Sequence, residues 1–154
     1  MDISILHSDK IEKFTSLLDI IFKSYPEGIA FKDSALNYIC VNQSYCNIFG
    51  LKNPDCLIGS AQNKILSKHN AKLVHDADNM IRETLYPMNY IINTDNKILN
   101  VTSSPICNAN EFLGIISNVK DITQEETIKE NFVNNHFKHL NAEKQLQAQR
   151  ETFV

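Results

Sequence analysis

Side chains able to do chemistry are spread thinly along this chain. Its five histidines are His7, His69, His75, His136 and His139, and three of them, His7, His136 and His139, fall in segments read below as flanking helices. The four cysteines, Cys40, Cys46, Cys56 and Cys107, show no CxxC spacing, so buried reduced thiols are expected rather than a zinc site or disulfides. Ser103 and Ser104 sit in a β-like run with no nucleophile elbow, and no GxGxxG or GxxxxGK loop offers a phosphate cradle. Acid–base catalysis needs His, Asp or Glu converging in a cleft, and the spacing suggests no such group. No catalytic and no metal-ligating residue is therefore expected.

Composition sets the outer limits. Fifteen basic against eighteen acidic residues give a net charge of −3, which carries no nucleic-acid footprint, so no nucleic-acid contact is expected. The 154 residues suit one domain of about 100 to 120 residues with helical extensions. Asp2 and a short apolar patch do not make a secretory leader. The apolar runs are too short to cross a membrane. A cytoplasmic location without membrane contact by this segment is expected, and a longer parent protein can still be anchored.

The elements that must position any site follow from periodicity. Ile11, Phe14, Leu17, Leu18, Ile21 and Phe22 recur at helical steps, so residues 1–24 read as an amphipathic helix stopped by Pro26. "GIAFKD" and "YICVN", joined by the turn-like "SALN", read as a hairpin. In "NQSYCNIFG", Asn42 is a natural N-cap and Gly50 a natural C-cap, with Tyr45, Cys46 and Phe49 on one side. "LKNPDCLIGS" reads as a loop and "AQNKILSKHN" as one or two short helical turns. In "AKLVHDADNMIRET", Leu73, Val74, Ala77, Met80 and Ile81 share a helix face. "YPMNYIIN", "KILNVTSSPIC" and "FLGIISNVKDI" are three strands in a meander, separated by the turn material "TDN" and "NANE". Five antiparallel strands with helices in one long crossover make an α+β domain, with a cavity to be expected between sheet and helices.

In this order and spacing, "PEGIAFKD", "YICVNQSYCNIFG", "LIG" and "FLGIISNVKDITQEE" resemble a PAS domain over about residues 20–126. The resemblance implies a five-stranded antiparallel sheet with helices packed on one face, flanked by N-terminal and C-terminal helices. The expected organisation is an amphipathic helix at 1–24, a sensor domain at 25–123, and a signalling helix or coiled-coil linker at 124–154. In "VKDITQEE", Asp121, Ile122 and Thr123 form the junction where the strand period ends, and Asp121 or Thr123 is placed to cap the next helix, with Glu125 and Glu126 favourable in its first turn.

Beyond the junction, positions 128, 132, 135, 139, 142, 146, 149 and 153 follow steps of four and three. Ile128, Phe132, Ala142, Leu146 and Phe153 form a weak coiled-coil seam, interrupted by Asn135, His139 and Gln149. A helix folded back on its own domain, anchored by Phe137 and Leu140, is the alternative. "AEKQLQAQRETFV" resembles the opening of the dimerisation helix of sensor histidine kinases, and Val154 falls short of the phosphoacceptor histidine. The resemblance implies the input module of such a kinase, a homodimer through its flanking helices, and an output domain on the same chain. The alternative is a PAS module regulating a diguanylate cyclase or a DNA-binding output.

The same resemblance bears on cofactors. Haem in this fold family is held by a histidine on the long inner helix, yet at about 100° per residue His75 points away from the apolar face of that helix. Flavin sensors of this fold carry an Asn-Cys-Arg motif, and neither Cys46 nor Cys56 has the arginine. No haem or flavin is expected. A small organic ligand is possible, in a pocket lined by Leu73, Ala77, Met80 and Ile81, with Tyr90, Asn100, Thr102 or Ser104 as polar contacts depending on strand register.

Overall fold

A computed structural model describes residues 3–60 and 65–152. Helix α1 spans Ile3–Ser24. Two residues past its end, Pro26 removes a backbone donor and the chain turns into strand β1, Gly28–Asp33. The turn into β2, Tyr38–Val41, is built on Asp33, whose carboxylate accepts from the N–H groups of Ala35 and Asn37, both at 2.9 Å. Leu36 in that turn has a φ of 67°. Burying its side chain against Ile81 and Ile115 offsets that strain.

Helix α2, Gln43–Phe49, is fixed at both ends by the residues the sequence marks. The Asn42 side chain accepts from Tyr45 N and Ile29 N at 2.9 Å each and donates to the Glu27 carbonyl at 3.0 Å. One side chain thus caps α2 and ties it to β1. Gly50 closes the helix with φ 66°, in the left-handed region glycine favours. After a short 3-10 turn at Pro54–Cys56, residues 61–64 of the expected helical turns lie outside the described residues, and Lys68–Asn70 belong instead to the first turn of α3, Lys68–Thr84.

Strands β3 (Met88–Asn93), β4 (Ile98–Asn108) and β5 (Glu111–Asp121) complete one antiparallel sheet in the order β2-β1-β5-β4-β3. Gly114 lets β5 pass close to β1: a Cβ there would stand 2.1 Å from the Lys32 carbonyl oxygen. Register divides the sheet into two faces. Ala30 pairs with Ser117, Ser117 with Ser103, and Val101 with both Val119 and Tyr90. These residues face the core with Ile92 and Leu99, under α2 and α3. On the outer face, Phe31 meets Phe22 of α1 with ring centroids 5.8 Å apart.

The chain forms two compact units, 1–121 and 122–154. The second is helix α4, Thr123–Thr152, in which no residue is buried. Its first turn closes through Glu126 N donating to the Ile122 carbonyl at 3.0 Å. Among the described residues no helix is long and apolar enough to cross a membrane.

Candidate functional site

The polar chemistry of the first unit converges under α3. Lys32 on β1 and Asp78 on α3 form an ion pair with side chains 3% and 0% exposed. The Lys32 ammonium also stands 5.0 Å from the centroid of the Tyr38 ring. The Tyr38 and Tyr45 hydroxyls share a hydrogen bond at 2.8 Å, and Ser103 shares one with Ser117 at 2.7 Å and another with Tyr90. Tyr45 packs on Phe49 with centroids 4.7 Å apart. Together Lys32, Tyr38, Tyr45, Tyr90 and Val101 wall a cavity of about 20 Å³, enough for the centre of about one water molecule.

Burial governs the electrostatics. It pushes the Lys32 ammonium below its usual range and the Asp78 carboxyl above its own, each only partly offset by attraction to the other. The three tyrosines are pushed up, first by burial, and each also feels the Asp78 charge. The hydroxyls are therefore neutral donors and acceptors. Asp78 Oδ1 is buried and has no hydrogen-bond partner.

The expected pocket residues are only partly brought together. Tyr90 lines the cavity. Ala77 and Ile81 are buried on α3, with Ile81 in a separate cluster beside Leu36 and Ile115, and Leu73 packs at the margin of the main core. Met80 is 50% exposed and lies off the buried face, where Asp78 takes a place the sequence reading did not give it. Asn100, Thr102 and Ser104 point to the outer face, because Leu99, Val101 and Ser103 take the inward positions of β4. Asn89 bridges Asn100 and Thr102 there at 2.8 Å each.

The other expected positions are placed as follows. Cys46 is buried and Cys40 half-buried, whereas Cys56 and Cys107 are exposed, which corrects the expectation of four buried thiols: Cys56 sits in the 3-10 turn and Cys107 near the end of β4. His69 and His75 are exposed. Asp121 is the last residue of β5, paired with Leu99, and Thr123 is the first of α4. Ile128, Phe132 and Leu146 are 60%, 73% and 56% exposed, Ala142 is exposed, and Phe153 lies outside the described residues. Lys32 and Asp78 are the site residues that sequence reasoning missed. Helical spacing was the available signal for Asp78, which stands four residues after Val74 and three before Ile81.

No family model matches the sequence, and no curated protein does. Solved structures do match the fold. The PAS domain of a protein from Colwellia psychrerythraea superposes with a TM-score of 0.58 at 14% identity, covering 72% of this chain and 98% of that one. The Vibrio cholerae VqmA dimer, described with DNA-binding mechanisms of LuxR-type receptors, gives a TM-score of 0.61 at 23% identity over 71% of this chain and 52% of VqmA. The sensor region of a sensor histidine kinase gives 0.54 at 13% identity, over 64% of this chain and 40% of that one. This chain therefore spans about half of the VqmA chain it resembles. With β2-β1-β5-β4-β3 antiparallel order and α2 and α3 packed on one face, the first unit of this chain has the PAS fold.

Proposed function

We propose that the chain is the signal-sensing and dimerisation input module of a sensor histidine kinase, in which residues 25–123 take up a signal and the helix after them passes it to an output domain. The observation that carries the reading is the junction. Strand β5 ends at Asp121, α4 begins at Thr123, and Ile122 alone stands between them. A change in the ladder that pairs Asp121 with Leu99 reaches the start of the helix through a single residue, which suits a linker with two closely balanced states. The fold shared with a kinase sensor region and the "QRETFV" run support the same assignment. Exposed apolar residues on α1 and α4 support association through the flanking helices. The segment itself is proposed to be cytoplasmic and non-catalytic, and to bind neither haem nor flavin.

A second reading, a DNA-binding output, is favoured by one observation: the likeness to VqmA, at 23% identity, exceeds that to the kinase sensor, at 13%. Fusing the chain after Val154 to a histidine-kinase core or to a DNA-binding domain separates the two. Thr123→Ala, which costs on the order of 1 kcal/mol at a helix start, is expected to change autophosphorylation of the kinase fusion by about fivefold. Unfolding of the sensor unit should move little. Autophosphorylation unchanged in every helical register, with DNA binding altered in the other fusion, would select the second reading. No response in either would remove the input role altogether.

A further inference from the structure

Among the described residues, Asp78 Oδ1 is the one buried side-chain nitrogen or oxygen with no hydrogen-bond partner. Such an orphan is expensive in a core. The ion pair it belongs to gives the fold little in return, since apolar residues of similar volume commonly replace a buried pair without loss of stability. The Lys32–Asp78 pair is thus better explained by something it binds than by what it holds up. Its surroundings are those of a binding site: Lys32 lines the cavity, and Tyr38, Tyr45 and Tyr90, which also line it, all lie within the field of the Asp78 carboxylate.

We propose that the Lys32–Asp78 pair recognises a small neutral molecule, about one ring in size, that donates a hydrogen bond to Asp78 Oδ1 and buries its apolar body among Tyr38, Tyr45, Phe49 and Tyr90. Neutrality follows from charge balance. The pair sums to zero, so an anion set against Lys32 or a cation set against Asp78 would leave one net charge in a closed, weakly polarisable core. The donor follows from the orphaned acceptor. The flat, apolar body follows from the walls, which apart from Lys32 and the hydroxyls are aromatic rings and aliphatic side chains. Size is limited by a cavity that now admits one water. Phe49, Leu66 and Tyr90 on its wall are only half-buried, and these are the side chains that must turn to admit a ring. The biological meaning of the site rests on the sensor reading above, whereas its chemistry does not.

Four probes on one ring, used with the whole chain at neutral pH, test this: phenol, toluene, benzoate and benzylammonium. Binding is read from amide shifts of Ala30, Val101 and Ser117. Phenol is expected to bind about tenfold more tightly than toluene, as a hydrogen bond to a charged acceptor warrants, and both charged probes more weakly than phenol. The double variant Lys32→Met with Asp78→Leu removes both charges together and keeps apolar volume. It should still bind toluene and should lose the preference for phenol. Phenol no tighter than toluene, a charged probe binding best, a preference that survives in the double variant, or no shifts with any probe would each overturn the proposal, the last leaving a cavity for water alone. If the selectivity is as stated but saturating phenol leaves both output fusions unchanged while Thr123→Ala alters one, the site and the input role both stand and phenol is only a mimic of the fit. If neither phenol nor Thr123→Ala alters any output, the input role falls and the site stands.

Discussion

The two units of this chain treat apolar side chains in opposite ways. In the first, Leu57, Ile81, Ile92, Leu99 and Ile115 are all less than 2% exposed. In the second, a helix of 30 residues buries none, and Ile128, Phe132 and Phe137 stand 60%, 73% and 61% exposed. The sheet unit satisfies itself. Helix α4 carries apolar residues with nothing on its own chain segment to cover them, which is the mark of a surface that acts through another body. Stability should therefore be concentrated in the first unit and association in the second, and substitutions can test that division.

The largest loss is expected at Gly114. A methyl group there would collide with the Lys32 carbonyl, a backbone atom that cannot swing away. Gly114→Ala must push β1 and β5 apart and should cost about 3 kcal/mol, read by urea unfolding. Next is Asp78→Ala, which leaves Lys32 buried without its counter-charge and should also cost about 3 kcal/mol. Adding Lys32→Met to Asp78→Leu should restore most of the loss. If the single and double variants were equally unstable, the pair would be structural and not a burden on the fold. Asn42→Ala comes third. It removes three hydrogen bonds that join α2 to β1 and should cost about 2 kcal/mol.

These three positions differ in how far the sequence discloses them. Asn42 and Gly50 announce a capped helix locally, and "TDN" and "NANE" announce the turns of the meander, because turn and cap chemistry depends on adjacent residues. The faces of β4 were not legible in the same way. Its inward row ends in Ser103, satisfied by Ser117 from β5, so polarity does not alternate cleanly and the reading of Asn100, Thr102 and Ser104 as inward slipped by one residue. Asp78 was legible from helical spacing alone. It was passed over because a carboxylate on an apolar face makes sense only with its partner, and Lys32 lies 46 residues away. Met80 was read inward for the converse reason: an apolar side chain near a buried stripe need not belong to it. Long-range pairing is what local pattern cannot supply.

The smallest effect on folding, and the sharpest on association, should come from α4. All five tyrosines, Tyr25, Tyr38, Tyr45, Tyr86 and Tyr90, lie in the first unit, and the chain has no tryptophan. Tyrosine fluorescence therefore reports the unfolding of that unit alone, whatever happens to α4. Ile128→Ser with Phe132→Ser strips two exposed apolar side chains from the seam and should leave the tyrosine transition within about 0.5 kcal/mol of the parent chain. If α4 pairs with a second copy along the seam, the same change removes contacts near the centre of that interface, and dimer dissociation measured by sedimentation equilibrium should rise by about tenfold or more. Phe14→Ser with Leu17→Ser makes the matching change on α1, whose residues at those positions are 62% and 52% exposed. Association weakened by the first pair and not the second places the dimer on α4, the reverse places it on α1, and loss from both means the two helices contribute together. Association untouched by either pair would sink the division of labour between the units, because the exposed apolar residues of both helices would then have no role in bringing copies together.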